Sequence, residues 1–181
     1  MMNETRRNIP GESLALSVPP AIRRIANSED REMAWYFFVF FSRMEYALKR
    51  SAYLKKTKPR DDRAEPDWDR FANAHAKEFS PNSSEEVEAA VKFFRIAPPR
   101  KQVNNSGVLE WSEPQSKHSS ESLLRWVLRA VCTVRNNLFH GGKFPGESVE
   151  DPSRDRNLLK HSICILEAAL LLDTKVSDHF D

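Results

Sequence analysis

Residues 132–143, CTVRNNLFHGGK, place an arginine and a histidine five positions apart, an amide directly after the arginine, and two glycines behind the histidine. These side-chain types suit chemistry on a phosphodiester. Arginine presents a fixed, bidentate fork to phosphate oxygens. Histidine is the side chain whose ordinary pKa lets it give or take a proton near neutral pH. The same string also makes a good helix end: Asn and Gly are common C-terminal signals, and the helix dipole favours a histidine there. On these residues alone, both an active site and a simple helix cap stand open.

Helical geometry bears on the choice. At about 100° per residue, Leu123, Leu124, Val127, Leu128, Val131, Val134 and Leu138 form one broad core stripe. Arg125, Arg129, Asn136 and His140 fall together on a polar stripe, and Arg135 sits at the border of the core. On a regular helix Arg135 and His140 lie roughly 140° apart, so either the helix loosens at Gly141-Gly142 or a second chain supplies the other half of the site.

The elements that must position this string are helical, because no strand-like alternation persists anywhere. Residues 1–28, with Pro10, Pro19 and Pro20, predict an extended arm with at most a short helical turn around 21–26. Ser28 is a good N-cap, with Glu29, Asp30 and Glu32 in the first turn, and opens a long helix to about Lys56. A second helix is expected over 67–79, capped by Asp67 and ended by Pro81. A third starts at Ser83 or Ser84 and ends at Pro98-Pro99. Residues 98–118 read as a polar loop anchored by Trp111. Ser119 or Ser120 starts the helix that carries the opening string, and a last helix runs from about Arg154 to Asp173. The expected architecture is an all-α bundle of about five helices over 29–175, with a C-terminal tail at 176–181.

The first helix carries more apolar surface than one core needs. Phe37, Phe40, Phe41, Met44 and Leu48 make one stripe, while Trp35, Phe38, Val39, Tyr46 and Tyr53 lie on the other side. A helix apolar all round is central in its bundle or shared with a partner, and in a chain of 181 residues we expect a homodimer interface.

Composition sets the outer limits. Charged residues make up 30% and hydrophobic ones 40%, the balance of an ordinary globular chain, and the net charge of +2 does not announce nucleic-acid binding. Its distribution is more telling. Between 43 and 63, eight Lys or Arg face Glu45, Asp61 and Asp62, and Lys92, Arg95, Arg100 and Lys101 cluster without an acid. Such patches follow a phosphate backbone or form a solvated face. Cys132 and Cys164 lie in apolar helical patterns without metal spacing, as small core residues of a reducing compartment. With no signal-peptide pattern and no run long enough to span a bilayer, the expectation is a cytoplasmic protein without a membrane segment. No cofactor and no metal site is expected. His75, His118, His161 and His179 lack mutual metal spacing, and His118 is a distant substrate-contact candidate. Glu45, in so apolar a helix, either pairs with Arg135 or faces solvent.

The string R-N-N-L-F-H-G-G-K resembles the signature of the HEPN superfamily (higher eukaryotes and prokaryotes nucleotide-binding), in which Arg is followed after four to six residues by His, with a polar residue behind the Arg. Arg135, Asn136 and His140 fill those places. The stretches FSRMEYALKRSAYLKK and RDRNLLKHSICILEAALLLD also look like the family, and the resemblance covers 30–173. It implies a HEPN-like bundle that dimerises around paired motifs and acts as a metal-independent endoribonuclease, attacking with the RNA's own 2′-hydroxyl. Arg135 and His140 would be catalytic, Asn136 supporting, and Lys143, Arg125 and Arg129 contacts to RNA phosphate, although Lys143 reads more readily as a solvated loop lysine. Many members are toxins or phage-defence effectors with an antitoxin or other partner protein. Gly142 stands where some carry a tyrosine modified by a partner nucleotidyltransferase, so that mode of pairing is not expected. The alternative is a non-catalytic HEPN-like module that binds RNA, a nucleotide or a protein partner.

Overall fold

The structure, a computed structural model, describes residues 31–56, 62–139 and 152–181. The arm at 1–28, its short turn and the Ser28 cap lie outside the described residues. Within them the protein is mostly helical: α1 Arg31–Arg50, α2 Trp68–Ala74, α3 Glu85–Ile96, a hairpin of β1 Gln102–Asn105 and β2 Val108–Trp111, α4 Leu123–Phe139, α5 Pro152–Leu170 and α6 Thr174–Phe180.

Helix α1 ends earlier than the sequence suggests. No breaker occurs in SAYLKK, but Ala52 takes a left-handed conformation with φ 69°, and Tyr53 N–H returns to the Leu48 carbonyl at 3.0 Å. A left-handed residue just past a helix is a common C-terminal stop, and glycine usually occupies it. Beyond the turn the chain runs extended, with Leu54 bridging to Pro66 and Asp67 N–H donating to the Tyr53 carbonyl at 2.7 Å. Asp67 caps α2 by accepting from Arg70 N–H, and Ser84 caps α3 by accepting from Val87 N–H. Helix α2 stops at Ala74, short of the expected 79, and a turn through His75 returns Phe79 to the core.

The expected loop at 98–118 contains the hairpin. Ser106 and Gly107 both adopt positive φ, and Asn104 Oδ1 accepts from Gly107 N–H at 2.7 Å, the arrangement that reverses a two-residue hairpin. Trp111 is half exposed at the end of β2, paired with Gln102 rather than seated in the core. The segment is held by Trp126 from α4, whose indole N–H donates to the Gln115 carbonyl at 3.1 Å. Helix α4 begins after Ser122, whose hydroxyl accepts from Arg125 N–H at 3.2 Å, and not after Ser119 or Ser120. At the C-terminus the expected tail is helical: Asp173 caps α6, Val176 is buried, and Phe180 packs on Phe40 with ring centroids 4.7 Å apart.

Helix α5 is central and contacts α1, α3, α4 and α6, while α2 packs on α4 and α6 on α1. The core unites Phe37, Met44 and Leu48 of α1 with Phe71, Phe94, Trp126, Leu128, Leu159 and Leu166. Burial of such side chains is the main stabilising contribution, roughly 1.5–3 kcal/mol each. Five residues of the predicted α1 core stripe are buried; so are five of the seven on α4, and Leu123 and Leu138 pack partly buried against them. Among the described residues no helix is long and apolar enough to cross a membrane.

Candidate functional site

Arg135 lies in the last turns of α4, where the helix leaves the core. Its Nη2 donates to Glu45 Oε2 of α1 at 3.2 Å and its Nη1 to Asn136 Oδ1 at 3.0 Å. The guanidinium stacks over Phe41 at 5.1 Å and near Phe139 at 5.9 Å, within the range of cation–π attraction. The Glu45 side chain is 22% exposed and so belongs to the paired reading rather than the solvent one; that of Arg135 is 33% exposed. The arginine is therefore held in one orientation with part of its edge open. Asn136 is exposed and its amide oxygen is turned to Arg135. Asn137 Nδ2 donates to the Arg100 carbonyl at 2.8 Å and ties the end of α4 to the segment before β1. His140 and Lys143 lie outside the described residues.

The other two phosphate candidates have tasks within the chain. Arg125 grips Asp69 of α2 through two hydrogen bonds of 2.8 and 3.1 Å. Arg129 donates to both oxygens of Glu121 at 3.0 and 2.8 Å, and to Gln115 and Ser116 besides. The Arg129 fork holds the Glu121 carboxyl below the usual carboxylate range, against the opposing effect of burial. In this arrangement both guanidinium forks are occupied by carboxylates. His118 is exposed in the turn before α4, where its backbone bonds to Glu121.

Beside Arg135, α1 presents Trp35, Val39 and Tyr46 to solvent, Trp35 with 63% of its surface exposed. Phe38 packs on Phe139 of α4 at 5.0 Å, so the apolar face of α1 runs directly onto the motif helix. Tyr53 does not share that face. Its hydroxyl donates to Asp173 Oδ2 at 2.7 Å and lies 3.0 Å from His75 Nε2. His75 also contacts Glu78 at 2.7 Å and Asp173 at 3.2 Å. Burial first, then the bond to Asp173, pushes the Tyr53 phenol up to about 12. Burial alone would raise the Asp173 carboxyl, but donors from Tyr53, Val176 N–H, His75 and Lys175 N–H together hold it low. This cluster fastens the α1–α2 turn to the cap of α6.

The cysteines behave as packing residues: burial first, then the nearby Glu45 carboxylate, pushes the Cys132 thiol up to about 12, and burial also raises Cys164. His161 packs on Phe93 at 4.6 Å. No cluster of three or more His, Cys, Asp or Glu among the described residues is arranged to hold a metal ion.

Sequence reasoning missed one feature. Arg95 and Arg100 of the acid-free cluster, together with Lys117 and Arg154, line a single pocket between the end of α3 and residues 114–117. The absence of acids was the legible signal; the meeting of that cluster with Lys117 and Arg154 was not. No protein-family model, curated protein or solved structure matches the chain.

Proposed function

We propose that the protein is a metal-independent endoribonuclease of HEPN type, in which Arg135 and His140 of two associated chains act on one RNA strand. The observation that carries this reading is Arg135, fixed by Glu45 and the Phe41 ring at the end of α4 and followed at the required spacing by His140 in the sequence. In the reaction the 2′-oxygen attacks phosphorus, losing its proton to solvent, and the bond to the 5′-oxygen breaks. Arg135 balances charge on the equatorial oxygens, and His140 donates a proton to the departing 5′-oxygen. The products carry a 2′,3′-cyclic phosphate and a 5′-hydroxyl. Service as a toxin or defence effector, with an antitoxin or other partner, fits such an activity.

The pairing of Arg135 with Glu45 also suits the second reading, a HEPN-like module that binds RNA, a nucleotide or a protein without cleaving. Both readings need the fork to leave Glu45 for phosphate, and His140, a side chain suited to proton transfer at the required spacing, favours the first. One hydrogen-bonded ion pair on an arginine a third exposed contributes about 1 kcal/mol or less, and a bidentate phosphate contact is stronger. Substrate can therefore draw the fork away from Glu45. Mapping the ends of cleaved RNA tests the reaction type. Cyclic phosphate ends, and resistance of a strand with 2′-deoxyribose at the cut site, are expected. Ends bearing a 3′-hydroxyl and 5′-phosphate would assign a different mechanism.

A further inference from the structure

The pocket formed at the end of α3 has a volume of about 560 Å³, within the range of small-ligand sites. Four of its lining residues are cationic (Arg95, Arg100, Lys117 and Arg154) and none is acidic. Among the described residues, no carboxylate lies at ion-pair distance from Arg95, Arg100 or Lys117. This sets them apart from Arg125 and Arg129, whose charges are already matched. Arg154 Nη2 donates to the Pro98 carbonyl at 3.2 Å, which fixes its guanidinium against the pocket wall.

Arg95, Arg100 and Lys117 repel one another around one concavity, and among the described residues no carboxylate pairs with any of the three. The partial negative charge at the C-terminus of α3, roughly half an elementary charge, is far too small to balance them. The complement is a polyanion. Arginine forks match phosphate geometry, and exposed Ile96 and the Pro98 and Pro114 rings give apolar surface between the cations on which a base or ribose can lie. Single strands are held without regard to sequence by a basic groove that tracks the backbone, with side-chain surfaces against which the bases pack. An acidic peptide offers carboxylates but no such planar units.

We propose that this pocket binds the phosphodiester backbone of a single-stranded nucleic acid, as a holding site separate from Arg135. The hydrogen bond from Asn137 to the Arg100 carbonyl places this edge of the pocket next to the end of α4. The inference concerns binding and does not rest on cleavage, and a probe that cannot be cleaved reads it separately.

The experiment is a fluorescence-anisotropy titration of the full chain with a labelled 2′-O-methyl oligoribonucleotide at several salt concentrations. Because Arg95 and Arg100 are exposed and pair with no carboxylate among the described residues, the double variant Arg95→Ala/Arg100→Ala should fold normally. It should bind several-fold more weakly, and its salt dependence should be shallower by about 1.4 in log–log slope, 0.7 for each single-strand contact removed. The double variant Lys77→Ala/Lys175→Ala, with the same loss of charge away from the pocket, should bind as the parent does. Equal affinity and slope in parent and pocket variant, or an equal loss in the control, would overturn the proposal. So would competition by AMP or by polyglutamate as strong as that of the oligonucleotide, which would reassign the pocket to a mononucleotide or an acidic peptide.

Discussion

At the scale of single residues, Arg135 stands between two demands. Glu45 and Asn136 hold it in place, and the proposed chemistry needs its fork to move onto phosphate. Arg135→Lys keeps the charge but loses the planar fork, so cleavage should fall sharply in a rate assay while the melting temperature hardly changes. His140→Ala should lose about 10²–10⁴-fold in rate, the usual contribution of a positioned acid; a loss under tenfold would remove His140 from the mechanism. The types and spacing of Arg135, Asn136 and His140 were legible in the sequence because they lie within six positions of one helix end. The carboxylate partners of Arg125 and Arg129 were not, because Asp69 sits 56 positions from Arg125 and only the packing of α2 on α4 joins them.

At the scale of elements, caps and turns decide where helices stop. Ala52 stands where glycine is preferred, so Ala52→Gly should stabilise the fold by about 0.5–1 kcal/mol, read as a rise of roughly 1–4 °C in thermal melting. No rise would mean that the α1 stop is not strained. Tyr53 and Asp173 of the Tyr53–His75–Asp173 joint contribute to opposite limbs of the pH profile. Asp173 and Glu121 are held low in the folded state, so their stabilising contribution is complete above about pH 4.5 and disappears as pH falls through their folded values. Tyr53 is raised, so its contribution is complete below about pH 10 and is lost as pH rises toward about 12. Melting curves across pH should show Tyr53→Phe with a flatter alkaline limb than the parent, and Asp173→Asn with a flatter acid limb. Unchanged limbs would assign the joint no energetic role. Helix positions were readable from apolar periodicity and from Asp67 and Ser84 as caps. The early end of α1 and the helical C-terminus were not. The first rests on a left-handed Ala52 where no glycine signals a stop, and the second on Phe180 finding Phe40, a contact across more than a hundred residues.

At the scale of the whole molecule, the exposed face of Trp35, Val39 and Tyr46 continues onto Phe139 beside Arg135, which is the surface that the proposed two-fold dimer buries. A stable dimer covers about 800 Å² on each partner. Trp35→Glu should therefore shift the chain to monomer in sedimentation and abolish cleavage together; a monomeric parent that still cleaves RNA would contradict the shared site. If each half-site draws Arg135 and His140 from different chains, mixing the inactive variants Arg135→Ala and His140→Ala should restore partial activity. The claim on which all of this rests is that the chain cuts RNA without a metal ion. The most direct measurement incubates the purified full chain with diverse RNAs in excess EDTA, beside the His140→Ala variant at equal concentration. Fragmentation by the parent and intact RNA with the variant is the predicted result; RNA that stays intact with the parent at high concentration would contradict it.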